Sequence, residues 1–168
     1  MTASSPDAEL VFNNLAAQIA QALELAPSRP VYLIGIHSGG ALIAQRLHRE
    51  LNFKTPLGTL SSAFHRDDYG RRGLPADMKA TDLPFAILGA QIILVDDILF
   101  TGRTVRAALN ELFDFGRPAR VELAVLLDRG GRELPVEARF CGGVFPLSPE
   151  RNYVFAVDPL KGFSLHIE

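Results

Sequence analysis

No stretch constrains this chain more than residues 91–104. An apolar run from Gln91 to Val95 closes on Asp96-Asp97, and Thr101-Gly102-Arg103-Thr104 then opens a helix. In that helix Val105, Ala108, Leu109, Leu112 and Phe113 recur at i, i+3, i+4, i+7 and i+8, which predicts a stripe facing a core. Gly116 and Pro118 supply the stop signals. A strand that empties through a polar loop into an amphipathic helix is the repeating unit of an open, largely parallel α/β sheet.

The rest of the chain reads the same way. After a lead-in of about eight residues, Leu15, Ile19, Leu23 and Ala26 fall at helical spacing until Pro27 and Pro30 stop the pattern. Val31 to Ile36 is continuously apolar, as expected of a strand buried on both faces. It empties into His37-Ser38-Gly39-Gly40 and a helix carrying Ile43, Leu47 and Leu51. Residues 57–65 predict another strand, Val121 to Leu127 a further buried one ending at Asp128-Arg129-Gly130-Gly131, and 152–157 a last, edge strand. Residues 66–80 (RDDYGRRGLPADMKA) are polar, rich in turn formers and without periodicity, the kind of long connection that carries function or moves.

Composition narrows the function classes. At 168 residues the chain predicts one domain, or one plus a small appendage, and 48% hydrophobic against 21% charged residues argues against a disordered one. One cysteine, Cys141, permits no intramolecular disulfide and fits a reducing compartment. A net charge of -2 excludes a strongly cationic nucleic-acid binder while leaving room for a local basic patch. The segment from Met1 to Ala8 lacks the order of a signal peptide, and no apolar run approaches the roughly 20 residues of a membrane span. A cytoplasmic protein is expected. The histidines are isolated in sequence and suggest no Ser/His/Asp nucleophile set.

In such sheets ligands sit at the carboxyl ends of the strands, where the polar clusters fall. Adjacent carboxylates there are costly unless hydroxyls or a divalent cation meet them. The Thr-Gly-Arg-Thr turn aims backbone N–H groups and two hydroxyls at one point on a helix N-terminus, which suits a phosphate. Taken singly, Asp96-Asp97 reads equally as a turn and Thr104 as a plain N-cap. Joined at this spacing they describe a site for a ribose 5-phosphate.

The stretch ILVDDILFTGRT resembles the phosphoribosyl-pyrophosphate motif of type I phosphoribosyltransferases. With LAVLLDRGGRELP and FHRDD it resembles the PyrR group of that family, uracil phosphoribosyltransferases that in some bacteria also regulate pyrimidine genes through messenger RNA. The resemblance covers about Val31 to Ser148. It implies a mostly parallel sheet flanked by helices, with a small hood and a mobile loop. It further implies that Asp96 and Asp97 hold the ribose hydroxyls and, directly or through water, Mg2+. Thr101, Gly102, Arg103 and Thr104 would cradle the 5-phosphate, and His37, Ser38, Gly39 and Gly40 the pyrophosphate. Arg66, in the mobile loop, would close over the leaving group, while Asp128 and Arg129, with the segment from Arg132 to Pro135, would belong to the hood over the base. The implied reaction joins uracil and phosphoribosyl pyrophosphate to give UMP and pyrophosphate.

Phe100 stands where purine enzymes of this superfamily commonly place a carboxylate, which favours a pyrimidine; it reads equally as a core residue. The first 28 residues carry no Lys or Arg. Ser38-Gly39-Gly40 replaces the Thr-Arg-Gly common in RNA-regulating relatives, and Gly143 stands where they tend to carry a lysine. His65 and Ser61-Ser62-Ala63 also depart from the group's pattern. Arg46, Arg49, Lys54, Arg71 and Arg72 form a basic cluster that reads as an RNA contact or a solvated face. The competing readings are a UMP-sensing RNA-binding regulator with weak or no catalysis and a transferase for orotate or a purine. Relatives assemble as homodimers or homotetramers, and the same is expected here.

Overall fold

The computed structural model of the chain describes residues 4–25, 29–63 and 79–168. Helix α1 (Ala8–Leu25) precedes strand β1 (Val31–Ile36), helix α2 (Gly39–Glu50) and strand β2 (Gly58–Leu60). Strand β3 (Gln91–Leu99), helix α3 (Arg103–Asp114), β4 (Arg120–Asp128) and β5 (Phe140–Val144) follow, and β6 (Tyr153–Asp158) and β7 (Gly162–Ile167) end the chain. Strands β2-β1-β3-β4-β5 form one parallel sheet, and β6 and β7 pair antiparallel with each other.

The apolar runs are continuous because both faces of the sheet are covered. Alternate residues serve opposite cores. Leu33, Ile93 and Val95 pack with Phe12, Leu15 and Ile19 of α1 and Ile43 and Leu47 of α2. Ile34, Ile36, Ile92 and Leu94 face the other way, against Ala108 and Leu112 of α3. Each fully buried side chain of this size contributes about 1.5–3 kcal/mol. No helix among the described residues is long and apolar enough to cross a membrane.

Four expectations need correction. The strand expected over 57–65 is three residues long, because its partner β1 ends at Ile36 and pairing stops at Leu60. Asp96-Asp97 does not close β3; both lie within the strand, whose pairing with β4 resumes at Ile98 and runs to Leu99. Phe113 is exposed: it lies about 80° round the helix from Val105, at the flank of the buried arc. Finally, 152–157 is not the edge of the main sheet. That edge is β5, whose Gly142-Gly143 disguised it, since glycine is depleted in strands. Gly142 is needed there: a β-carbon would strike the carbonyls of Val11 and Leu126, so α1 lies directly on the strand. Residues 153–158 instead fold onto 162–167, and Tyr153, Phe163 and Leu165 join the α1 core.

Candidate active site

With β1 and β4 on either side of β3, their parallel direction brings His37–Gly40, Asp96–Thr104 and Asp128–Gly131 to one end of the sheet. Asp96 is buried and Asp97 half-buried. The Asp97 N–H donates to Asp96 Oδ1 (2.9 Å), and the Ile98 N–H to Asp97 Oδ1 (2.7 Å). These bonds orient both carboxylates by backbone donors of the strand itself. Asp97 faces the start of α2, where Gly39 meets it without room for a side chain: a β-carbon at position 39 would collide with the carboxylate.

Helix α2 begins just after Ser38, whose exposed side chain makes no capping bond. The first-turn N–H groups of such a helix lack intrahelical partners and carry its positive dipole end. His37 donates its backbone N–H to the Leu60 carbonyl (2.9 Å), and its Nδ1 is enclosed with no hydrogen-bond partner among the described residues. Burial, and secondarily the Lys79 charge, pushes its imidazole below the ordinary value, which favours the neutral ring.

Helix α3 also begins without a side-chain cap. Its N-cap, Gly102, has φ 92°, a left-handed turn that glycine adopts without strain. The Arg103 N–H donates to Thr101 Oγ1 (3.2 Å). The Thr101 carbonyl accepts from the N–H groups of both Glu133 and Leu134 (3.0 Å each), and Arg103 Nε pairs with Glu133 Oε2 (2.8 Å). Residues 132–136 are therefore docked onto the Thr101–Thr104 turn. Arg132 fastens the other side: it donates to both Asp128 oxygens (3.0 and 2.5 Å), to the Phe100 carbonyl (2.8 Å) and to the Val136 carbonyl (2.9 Å). Burial alone would raise the Asp128 carboxyl, but Arg132 and the Gly130 N–H hold it below its ordinary value.

Arg129 is buried behind this surface, its guanidinium over the Phe100 ring and its Nη atoms donating to Asn152 Oδ1 (2.9 Å) and the Ser148 carbonyl (3.1 Å). Nothing in the sequence signals Asn152 or Ser148 as its partners, because the contact spans about 20 residues and uses an amide and a carbonyl. Arg66, with His65, Asp67, Asp68, Arg71 and Arg72, lies outside the described residues, as does Pro27. In the basic cluster, Arg46 is no solvated cation. It donates to both Glu9 oxygens (2.8 Å each) and to Glu50 (2.7 Å), between the rings of Phe12 and Phe163.

Two helix starts without side-chain caps thus flank a pair of carboxylates, with residues 132–136 docked onto the second. A family model described as the phosphoribosyl transferase domain matches residues 3–159. Proteins named Bifunctional protein PyrR are 45% identical in Nitrosococcus oceani, over 91% of this chain and 88% of that one, and 46% identical in Ralstonia nicotianae, over 92% and 88%. This chain belongs to the phosphoribosyltransferase family, in its PyrR group. Its fold is similar to that of a hypoxanthine-guanine phosphoribosyltransferase from Bacillus anthracis, at a TM-score of 0.67 and 19% identity, covering 86% of this chain and 85% of that one.

Within this phosphoribosyltransferase, no group of three or more His, Cys, Asp or Glu side chains among the described residues is placed to cage a metal. A pair of carboxylates suits Mg2+, which keeps several waters and commonly takes one or two carboxylates together with substrate phosphates. The donor set fits a cation that arrives on its substrate.

Proposed function

We propose that residues 1–168 act as one phosphoribosyltransferase domain that converts uracil and 5-phosphoribosyl 1-pyrophosphate to UMP and pyrophosphate. The observation that carries this reading is the placement of Asp96-Asp97 between the starts of α2 and α3, so that sites for two anionic groups flank a site for a diol. The carboxylates accept from the ribose 2- and 3-hydroxyls. Thr101, Gly102, Arg103 and Thr104 receive the 5-phosphate with backbone N–H groups and hydroxyls. His37, Ser38, Gly39 and Gly40 receive the pyrophosphate, and Asp128 and Arg129 belong to the hood over the base. Mg2+, when bound through Asp96 and Asp97 directly or by way of water and the ribose hydroxyls, neutralises charge on the leaving pyrophosphate.

Attack by uracil N1 on the ribose C1 breaks the bond to pyrophosphate and passes through an oxocarbenium-like ring, and the N1 proton leaves to solvent or to the departing pyrophosphate. The chain supplies orientation and fixed N–H dipoles instead of a covalent nucleophile. Arg66 closes over the pyrophosphate in this reading. The absence of a titratable group at Phe100 favours a pyrimidine over a purine.

A second reading is a UMP-sensing RNA-binding regulator with weak or no catalysis; the name Bifunctional protein PyrR that the relatives carry implies two activities, and so fits a regulatory role beside turnover better than one in its place. The commitment of Arg46 to Glu9 and Glu50 removes one cation from the surface available to RNA. The protein assembles as a homodimer or homotetramer in the cytoplasm, an assembly suited to the exposed side chains of Leu88, Phe113 and Phe115. Mg2+-dependent UMP formation from uracil tests the main reading. Replacing Asp96 and Asp97 together by Asn should abolish it, and full activity in that variant would refute the ribose assignment. UMP-dependent binding of an operon leader RNA without turnover would select the second reading.

A further inference from the structure

Phe100 directly precedes the phosphate turn, and 36% of it is exposed where that turn meets the hood. The Arg129 guanidinium lies 3.9 Å from the centroid of its ring. At the ring's edge, Gly131 leaves no space: a β-carbon there would strike Phe100, at 2.9 Å from Cδ2 and closer still to Cε2. The Phe100 carbonyl accepts from Arg132, and the Arg129 N–H donates to the Leu99 carbonyl (3.0 Å), so the backbone on both sides is tied down as well.

Arg129 is 3% exposed. Buried guanidinium groups usually meet a carboxylate. The partners recorded for this one are an aromatic ring, the Asn152 amide and the Ser148 carbonyl, while Nε has none among the described residues. Such a group does not strengthen the fold the way an ion pair would. It spans two elements, holding the Phe100 ring against the 148–152 turn that leads into β6 and β7.

We infer that Arg129 is a positioning residue for base recognition, locking the Phe100 ring as one wall of the base site and tying that wall to the 148–152 turn. The inference rests on the UMP-forming reading. A ring fixed on one face and at one edge presents a flat apolar surface of constant position to a six-membered base. Freed from Arg129, the same ring rotates about its side-chain torsions, and the surface is lost without any change at the ribose or phosphate contacts.

The test is a double-variant cycle on Phe100→Leu and Arg129→Met, with Asn152→Ala as a milder variant that removes one Arg129 bond and leaves the ring contact. Calorimetry on the full chain measures binding of UMP and of ribose 5-phosphate, which lacks the base. Phe100→Leu and Arg129→Met should each weaken UMP by roughly 3- to 30-fold, the range a desolvated cation–ring contact commands. Ribose 5-phosphate affinity should stay within about twofold, and the double variant should lose no more than the worse single variant. Asn152→Ala should show a smaller loss of the same kind, and it carries the test if Arg129→Met does not fold.

Equal loss of both ligands would make Arg129 merely structural and overturn the inference. So would losses that multiply in the double variant, or an Asn152→Ala protein that binds UMP as wild type does. Wild-type turnover of uracil is measured alongside. Turnover without the coupling refutes the positioning role alone, and the coupling without turnover refutes the transferase reading alone.

Discussion

Replacing Gly39 by Ala separates the chemistry of the site from the stability of the fold. A β-carbon at this position would lie 2.6 Å from Asp97 Cγ and 2.9 Å from its Cβ. Ordinary contact begins at 3.4 Å, so Cγ has to retreat by at least about 0.8 Å, and Oδ2, which is nearer still, by more. Its Oδ1 is held by the Ile98 N–H at 2.7 Å, a bond that this movement strains or breaks. A misplacement near 1 Å at a reacting centre costs up to about 100-fold in rate. The loss expected in kcat/KM is therefore about 10- to 100-fold, or about 1.4–2.8 kcal/mol of transition-state stabilisation. The cost to the fold is confined to this contact and should not exceed about 1–3 kcal/mol. Gly39 is the first residue of α2 and is not among the glycines with positive φ, so alanine is compatible with its backbone. Thermal unfolding should show Tm lowered by no more than about 10 °C, with the protein still folded at 25 °C, while a coupled pyrophosphate-release assay records the loss of activity. Full kcat/KM in a folded Gly39→Ala protein would refute the argument, since Asp97 would then have no role that its position affects.

Two further perturbations follow from the ion pairs. Arg46→Met removes the clamp that joins α1, α2 and β7 through Glu9, Glu50, Phe12 and Phe163. It should lower stability by about 1–3 kcal/mol, and Tm by about 3–10 °C in a scanning experiment, with uracil turnover near wild type at 25 °C. On acidification, the Arg46 bond holds Glu9 below its ordinary value, and Arg132 and the Gly130 N–H outweigh burial to hold Asp128 low. Depressed carboxylates contribute stability that is complete above their unfolded values of 4.5 and 3.8 and is lost as pH falls through their folded values. His37, also depressed, adds a loss of stability as pH falls below its unfolded value of 6.5. Denaturant midpoints should therefore fall from pH 6.5 downward and most steeply below about 4.5. Midpoints that rise over that interval would contradict these assignments.

Much of the molecule was legible in order along the chain because local rules and tertiary burial agreed. Val31 to Ile36 is uninterrupted in hydrophobicity because each residue in turn meets one of two cores, and the observed β1 has the same bounds. That Asp96-Asp97 and Thr101-Gly102 lie close together was readable because both belong to one strand–loop–helix unit, so sequence distance stands in for spatial distance. Where the reading failed, the deciding contact was remote. Gly142 belongs to a strand because α1, over 100 residues earlier, presses on it. Residues 153–158 pair with 162–167 instead of with the main sheet, and Tyr153, Phe163 and Leu165 reach the core beside Phe12, contacts that no local pattern announces.

The sequence by itself determined the alternation of strands and helices and the end of the sheet at which the polar segments 37–40, 96–104 and 128–131 gather. These are consequences of periodicity and of chemistry concentrated in short segments. Only the tertiary structure decided which charges are spent inside the protein and which face a ligand. In sequence Arg46 belongs to a basic cluster and Arg129 to the hood, yet one is clamped between two rings and two carboxylates, and the other lies buried beneath Phe100 with its Nη atoms on Asn152 and Ser148. The physical reason is that a long cationic side chain takes its role from whatever surrounds its tip, and those surroundings come from elements that the chain brings together only on folding.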